Sequence, residues 1–339
     1  MKFLRPSSSD RIFDQDESPE LDEDIERIER LSTPVTAVGL TGRTYGEPTT
    51  FGSQPWHSNK NWWKIPGFGE ANDVRSTFGT IGQLVCAATS LRGNKHRLQG
   101  GVNQDSFSIL EVTSKDDEQF LVVAVCDGMG SAAYSGFAAR KAAAACAALL
   151  GAGLRGIGRE LFEFPERVQA RLVQKIRESV LSFDRLEFDA PQVDREGISE
   201  ADLQTTLSFA VLSASGPDDF DVLTGTIGDS PVIKVKSGMW EWLQSDTSGG
   251  GLHSTASDGL MSTDTLEVHK STLASGEGLL ICTDGVGNYL RFKGGETALG
   301  ADLRERWTSP PERLDFIRDL SYEIQSADDD RTAVMVWAR

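Results

Sequence analysis

The stretch Phe120–Ser135, FLVVAVCDGMGSAAYS, constrains this chain more than any other. Its apolar run from Phe120 to Cys126 has the pattern of a buried strand, and Asp127-Gly128-Met129-Gly130 breaks that run before an alanine-rich helix begins. A carboxylate therefore stands at the end of a buried strand, where losing water is costly unless a cation or hydrogen-bond donor meets it. The flanking glycines let the backbone approach whatever Asp127 holds. A single Asp-Gly reads equally well as a helix cap or a turn. The recurrence of the pattern along the chain separates the two readings.

From Ile81 onward the chain reads as one mixed α+β domain, 81–339. Its strand candidates are residues 84–91, 120–126, 206–214, 221–228, 231–236, 239–243, 279–283 and 332–338. Short turns between many of them suit antiparallel pairing. Helices are expected at Ala132–Leu150, ended by Gly151, at Pro165–Phe188, and at Pro311–Ser326 with Leu314, Ile317, Leu320 and Ile324 as the apolar stripe. Strands at both ends and a helical block between them suggest helices packed on sheet faces. No internal repeat is present.

The N-terminal region reads differently. Between Asp10 and Arg30 ten acidic and three basic residues put −7 of the chain's −17 into one segment, so 1–35 reads as an acidic, disordered tail. Within it Leu21–Leu31 has the spacing of one short docking helix. Residues 36–80 form an arm in which Gly, Thr and Pro alternate with Phe51, Trp56, Trp62, Trp63 and Phe68. That arm either packs its aromatics on the domain or presents them to a partner protein.

A chain with 34 Lys and Arg against 51 Asp and Glu is a poor ligand for nucleic acid or an anionic membrane. Cys86, Cys126, Cys146 and Cys282 lie far apart without metal-ligand spacing, and are expected to be free, buried thiols in a reducing compartment. The N-terminus has no apolar targeting core and no stretch holds the roughly 18 apolar residues of a membrane span, so a cytoplasmic location is expected.

The Asp pattern recurs at strand edges. Asp105 precedes SFSILEV, Asp229 lies between two strands, Asp284 ends LLICT, and Asp329 and Asp330 precede the last strand. Several carboxylates at strand edges, two followed by Gly, match the needs of hard divalent cations, and oxygen donors without His or Cys favour Mg²⁺ or Mn²⁺ over zinc. The ordered set N-Q-D (103–105), V-C-D-G-M-G (125–130), T-T-L-S (205–208), I-G-D-S (227–230), C-T-D-G-V (282–286) and D-D-R-T-A-V (329–334) resembles the PP2C metal-dependent protein serine/threonine phosphatases. It is most similar to divergent bacterial members, over about Gly82 to Arg339.

The resemblance implies a sandwich of two antiparallel sheets flanked by helices and a centre of two Mn²⁺ or Mg²⁺ ions. Asp127 is expected to bridge them, with the Gly128 carbonyl on one. Asp284 and either Asp329 or Asp330 complete the other; Asp329 is favoured because it sets Thr332 on the family's hydroxyl position. Asp105 belongs to the outer shell, and Asp229 with Asp284 to a third, looser ion. The implied catalytic set is Asp105, Asp127 and Asp284, acting through a metal-activated water on phosphoserine and phosphothreonine of a phosphoprotein, opposite a cognate Ser/Thr kinase.

Departures from the pattern define an alternative. Gln104 replaces the usual Glu, Met129 stands where the animal enzymes have a His, and the phosphate-gripping Arg would fall at Gly100. His96 and Arg97 lie just upstream, as candidates for the substrate phosphate. The loop TSGGGLHSTASDG replaces the usual flap. Gln104, Gly100 and the altered loop fit a PP2C-like binding or scaffolding protein with weak or no activity, whereas bacterial members commonly share the Met; the retention of Asp127, Asp284 and Asp329 as converging like charges fits the enzyme.

Overall fold

The computed structural model describes residues 74–99, 101–163, 165–182, 198–214, 219–236, 238–243, 259–324 and 327–339, the side chains of 165–170 excepted. The acidic tail, residues 36–73 of the arm, Gly100 and most of the Gly/Ser loop with His253 lie outside them. Residues 74–80, assigned above to the arm, belong to strand β1 (Val74–Ile81), which pairs with β2 (Leu84–Leu91) through Gly82, whose φ of 54° suits a tight reversal. The folded unit therefore starts at least seven residues before Ile81.

Two antiparallel sheets follow from strands that are apolar on both faces. The first has six strands in the order β1, β2, β13 (Arg331–Ala338), β10 (Gly278–Cys282), β7 (Val232–Lys236) and β8 (Met239–Trp242). The second has five, in the order β3 (Ser106–Thr113), β4 (Gln119–Cys126), β5 (Leu207–Ser213), β6 (Asp219–Ile227) and β9 (Glu267–Ala274). Side chains alternate between faces with the period of two that a pleated strand imposes. On β4, Leu121, Val123 and Val125 face the other sheet, while Phe120, Val122, Ala124 and Cys126 face helices. On β13, Val334 and Val336 join the same inter-sheet core, while Ala333, Met335 and Trp337 lie on the opposite face.

Helices cover both outer faces, which explains why the central strands read as unbroken apolar runs. After the short α1 (Asn94–Gln99), α2 (Ser135–Ile157) lies on the second sheet, with a short α3 (Glu160–Glu163) and then α4 (Pro165–Leu181) against it. By length and composition α2 is apolar enough to cross a membrane, but most of it is buried inside the fold. Its alanines let it approach the sheet closely. Gly151 does not end this helix as expected: it sits inside it, where an added Cβ would come 2.5 Å from Leu110 Cδ2. The helix ends at Gly158, whose N–H reaches Leu154 O at 2.8 Å.

On the first sheet lie α5 (Asp284–Leu290), α6 (Ala298–Arg306) and α7 (Arg313–Leu320) around the fully buried Trp307. The expected helix 311–326 is shortened to α7, and Leu314 points outward at 57 % exposure, so the stripe read from its spacing is carried by Phe316, Ile317 and Leu320. All four cysteines are free and buried.

Within β6, Gly225 lies directly opposite Phe209, and a Cβ there would come 2.3 Å from the Phe209 ring. Strand propensity alone favours Ala over Gly. Displacing a core ring should outweigh it, and Gly225→Ala is expected to lower stability by about 1–3 kcal/mol in urea titration.

Candidate metal centre

The sheet registers bring the strand-edge carboxylates to one place. In the second sheet Ser106 pairs with Cys126, so Asp105 and Asp127 leave it side by side. In the first, Cys282 pairs with Ala333, which sets Asp284 beside the 329–330 turn. Asp229 lies on the connection from β6 to β7, where the chain passes from one sheet to the other. The sheets are joined at this edge by Thr283 Oγ1, which donates to Asp105 Oδ2 at 2.8 Å, and by the Gln104 N–H, which donates to Asp330 Oδ2 at 2.6 Å.

Asp127 is held through its backbone. Its N–H donates to Thr206 Oγ1 at 2.9 Å, and its carbonyl accepts from the Thr206 N–H and Thr205 Oγ1, each at 2.8 Å. The backbone is thereby fixed without drawing on the carboxylate. This gives the T-T-L-S stretch a role that spacing alone did not reveal. Asn103 acts likewise on Asp105, accepting its N–H at 3.0 Å while donating to Ser90 Oγ at 2.8 Å.

The neighbouring acids Asp329 and Asp330 have opposite fates. Asp330 is buried, and its carboxylate accepts from the Gly93 N–H at 2.6 Å and the Gln104 N–H, and meets His96 Nδ1 at 2.9 Å. Asp329 is exposed, its charge acts on Asp127 and Asp284, and its Oδ1 accepts the Asp330 N–H at 3.0 Å. His96, Asp329 and Asp330 each offer one ligand atom within 4.8 Å of the others, but the His96 and Asp330 atoms are already engaged with each other.

The electrostatics of the cluster are one-sided. Burial, then Asp105, Asp284, Asp229 and Asp329, all push Asp127 well above the ordinary carboxylate range. Burial and then Asp330 do the same to Asp105, only partly offset by hydrogen bonds from Thr283 and Thr332. Asp284 is pushed up to about 6 by burial, Asp229 and Asp329, against the pull of hydrogen bonds with Asp127 and the Gly285 N–H. For His96 burial acts downward, but its bond to Asp330 and the Asp330 and Asp329 charges win, and its pKa is raised. A convergence of oxygen donors that cannot all carry charge unaided fits hard divalent cations.

Of the residues singled out from sequence, Asp105, Asp127, Asp229, Asp284 and Asp329 come together here. His96, expected at a substrate phosphate, is instead buried against Asp330, and Arg97 Nη1 leans on Asn94 Oδ1 at 3.4 Å. Two supports were not foreseen. Tyr322 is buried and donates to the Gly285 carbonyl at 2.5 Å, and the buried Arg331 stacks on Tyr322 at 4.1 Å while donating to the Leu320, Tyr322 and Ala327 carbonyls. Gly285 itself is packed so tightly that a Cβ would meet Asp330 O at 1.9 Å. Together these contacts lock the turn bearing Asp284 to the turn bearing Asp329.

Two outcomes follow from this geometry. Asp284 is raised from 3.8 to about 6, so the folded state holds protons that the unfolded chain has released. In EDTA the melting temperature should therefore fall as pH rises through that window, and added Mn²⁺ should remove the fall. A melting temperature that rises with pH there would contradict the cluster. Tyr322→Phe removes a buried donor to the Gly285 carbonyl and should cost about 1–3 kcal/mol by chemical denaturation. It should also weaken Mn²⁺ binding in calorimetry.

A family model described as protein phosphatase 2C matches residues 92–313, more than half of the chain. No curated protein sequence matches it. Among solved structures, the serine/threonine phosphatase of S. agalactiae is similar at 17 % identity with a TM-score of 0.50, over 76 % of this chain and 100 % of that one. The serine/threonine phosphatase Stp1 from Staphylococcus aureus is similar at 14 % identity with a TM-score of 0.51, over 77 % of this chain and 96 % of that one. At such identities the likeness concerns the fold, which is the expected sandwich of two antiparallel sheets flanked by helices. The chain belongs to the protein phosphatase 2C family, the metal-dependent protein serine/threonine phosphatases.

Proposed function

We propose that the chain hydrolyses phosphoserine and phosphothreonine on proteins at a centre of two Mn²⁺ or Mg²⁺ ions. Asp127 would bridge the pair, with the Gly128 carbonyl on one ion and Asp284 and Asp329 on the other. Asp229 with Asp284 would serve a third. The carrying observation is the convergence of five carboxylates, Asp105, Asp127, Asp229, Asp284 and Asp329, in which burial and mutual repulsion push the Asp127 pKa well above its ordinary range.

When bound, such cations neutralise phosphoryl oxygens and bring the pKa of water towards neutrality. The chain's own contribution is placement. Thr205 and Thr206 fix the Asp127 backbone without drawing on its carboxylate. Thr283 donates to Asp105 and holds it beside the pair as a hydrogen-bond acceptor. Asp330, committed to Gly93, Gln104 and His96, acts as an anchor for three segments, which supports Asp329 as the metal-facing member of the two. Placement of this kind matters because phosphate monoesters hydrolyse extremely slowly without catalysis.

The substrate class implies a Ser/Thr kinase as the opposing activity, and the four buried free thiols support a reducing, cytoplasmic setting. The aromatic arm remains the natural candidate for contact with a partner protein. The scaffold reading has less support, since a non-catalytic protein gains nothing from carboxylates that repel one another.

Turnover of p-nitrophenyl phosphate and of a phosphothreonine peptide should require Mn²⁺ or Mg²⁺ and stop in EDTA. Asp127→Asn and Asp284→Asn should each lower turnover by more than about 100-fold, the upper end of the loss seen when only a supporting partner of a ligand is removed. Both variants should melt higher than the parent in EDTA, because each relieves repulsion. Undiminished turnover in either variant would refute the assignment.

A further inference from the structure

The carboxylate cluster must receive a substrate that is itself an anion, which raises the question of where the protein keeps a free positive charge. Segment 92–97 carries four basic residues close to the Asp330 anchor, and most are committed. Arg92 is buried and its Nη1 donates to the Gly101 carbonyl at 2.9 Å. His96 meets Asp330 and Arg97 meets Asn94. Lys95 differs: its backbone N–H is anchored to the Asp328 carbonyl at 2.9 Å, while its ammonium has no hydrogen-bond or ion-pair partner among the described residues.

The position of that ammonium is defined from two sides. A Cβ on Gly130 would lie 4.0 Å from Lys95 Nζ and 3.8 Å from Gln104 Oε1. Lys95 thus reaches across to the exposed rim of the Asp127–Gly130 loop, two residues beyond Gly128, and the missing side chain at Gly130 keeps the space open. The neutral Gln104 amide approaches the same point. A carboxylate there would pair with the ammonium and cancel it; the amide leaves the charge available. In a chain of net charge −17, a half-buried lysine at the rim of the Asp127–Gly130 loop that pairs with no carboxylate among the described residues is a cation held for an incoming anion.

Resting on the phosphatase reading above, we propose that Lys95 is the residue that contacts the substrate's phosphoryl oxygens, the part assigned from sequence to His96 or Arg97. As a compact point charge with rotatable donors, it binds a phosphate monoester without the fixed two-pronged geometry of an arginine.

The test uses the full chain with Mn²⁺ and two readouts, p-nitrophenyl phosphate kinetics and calorimetric binding of inorganic phosphate, with Mn²⁺ binding titrated separately. Lys95→Ala should raise both KM and the phosphate Kd by about 10-fold or more, the loss of one charge-assisted hydrogen bond. Its Mn²⁺ affinity should be unchanged or tighter, since a repelling charge is gone, whereas a merely structural role would weaken it. Lys95→Arg should restore most of the phosphate affinity. Phosphate binding without turnover, lost in Lys95→Ala, would support Lys95 while sinking the phosphatase reading. Phosphate binding equal in parent and Lys95→Ala would overturn the assignment and leave that reading standing. A parent protein that binds no phosphate would overturn both.

Discussion

Repulsion among carboxylates at one edge of the sandwich is the constraint on which the rest of the structure depends. Each of Asp105, Asp127 and Asp284 is driven above the ordinary carboxylate range by burial and by its neighbours, so the folded chain holds them against an electrostatic gradient. The stacked sheets supply the opposing force. Their shared core of Leu121, Val123, Val125, Val334 and Val336 fixes how the strand ends superpose, and the acids have no freedom to drift apart. A softer scaffold would relax the cluster.

Rigidity at the edge itself comes from polar contacts rather than from the core. Asp330 gathers Gly93, Gln104 and His96 around one buried carboxylate, and thereby joins a turn, a helix and both sheets. Arg331 and Tyr322 do the same on the other side, through carbonyls that have no strand partners of their own. Buried polar groups of this kind are costly when half satisfied and restrictive when fully satisfied. Here they restrict the turns that carry the site, and leave the apolar layers behind them free of functional demands.

The strands of the two sheet centres were legible because each is apolar on both faces and bounded by a turn residue. β1 and β9 were missed for the complementary reason. They are edge strands, VRSTFGTI and EVHKSTLA, largely half-buried or exposed, and their polar residues hide any period. Helix ends were misplaced where a glycine serves packing, as at Gly151, or where an apolar residue faces solvent, as at Leu314. In the site, acids that end strands could be recognised from their setting. The division of labour between Asp329 and Asp330 could not, because it depends on which backbone N–H groups a turn presents. Nor could Lys95, since a long flexible side chain carries no sign in sequence of where its charge comes to rest.

The four thiols have a consequence for how such a protein can be switched. All are buried; burial, with the Glu111 charge, pushes Cys86 up to about 12, and Cys126, Cys146 and Cys282 are likewise held far on the protonated side. Peroxide attacks thiolates, and a phosphatase built on a cysteine nucleophile is silenced by it. With its hydrolytic chemistry assigned to aspartates and its four thiols sealed in the core, this chain offers oxidants no such handle, so dephosphorylation would persist through the bursts of oxidation that stop thiol-dependent enzymes.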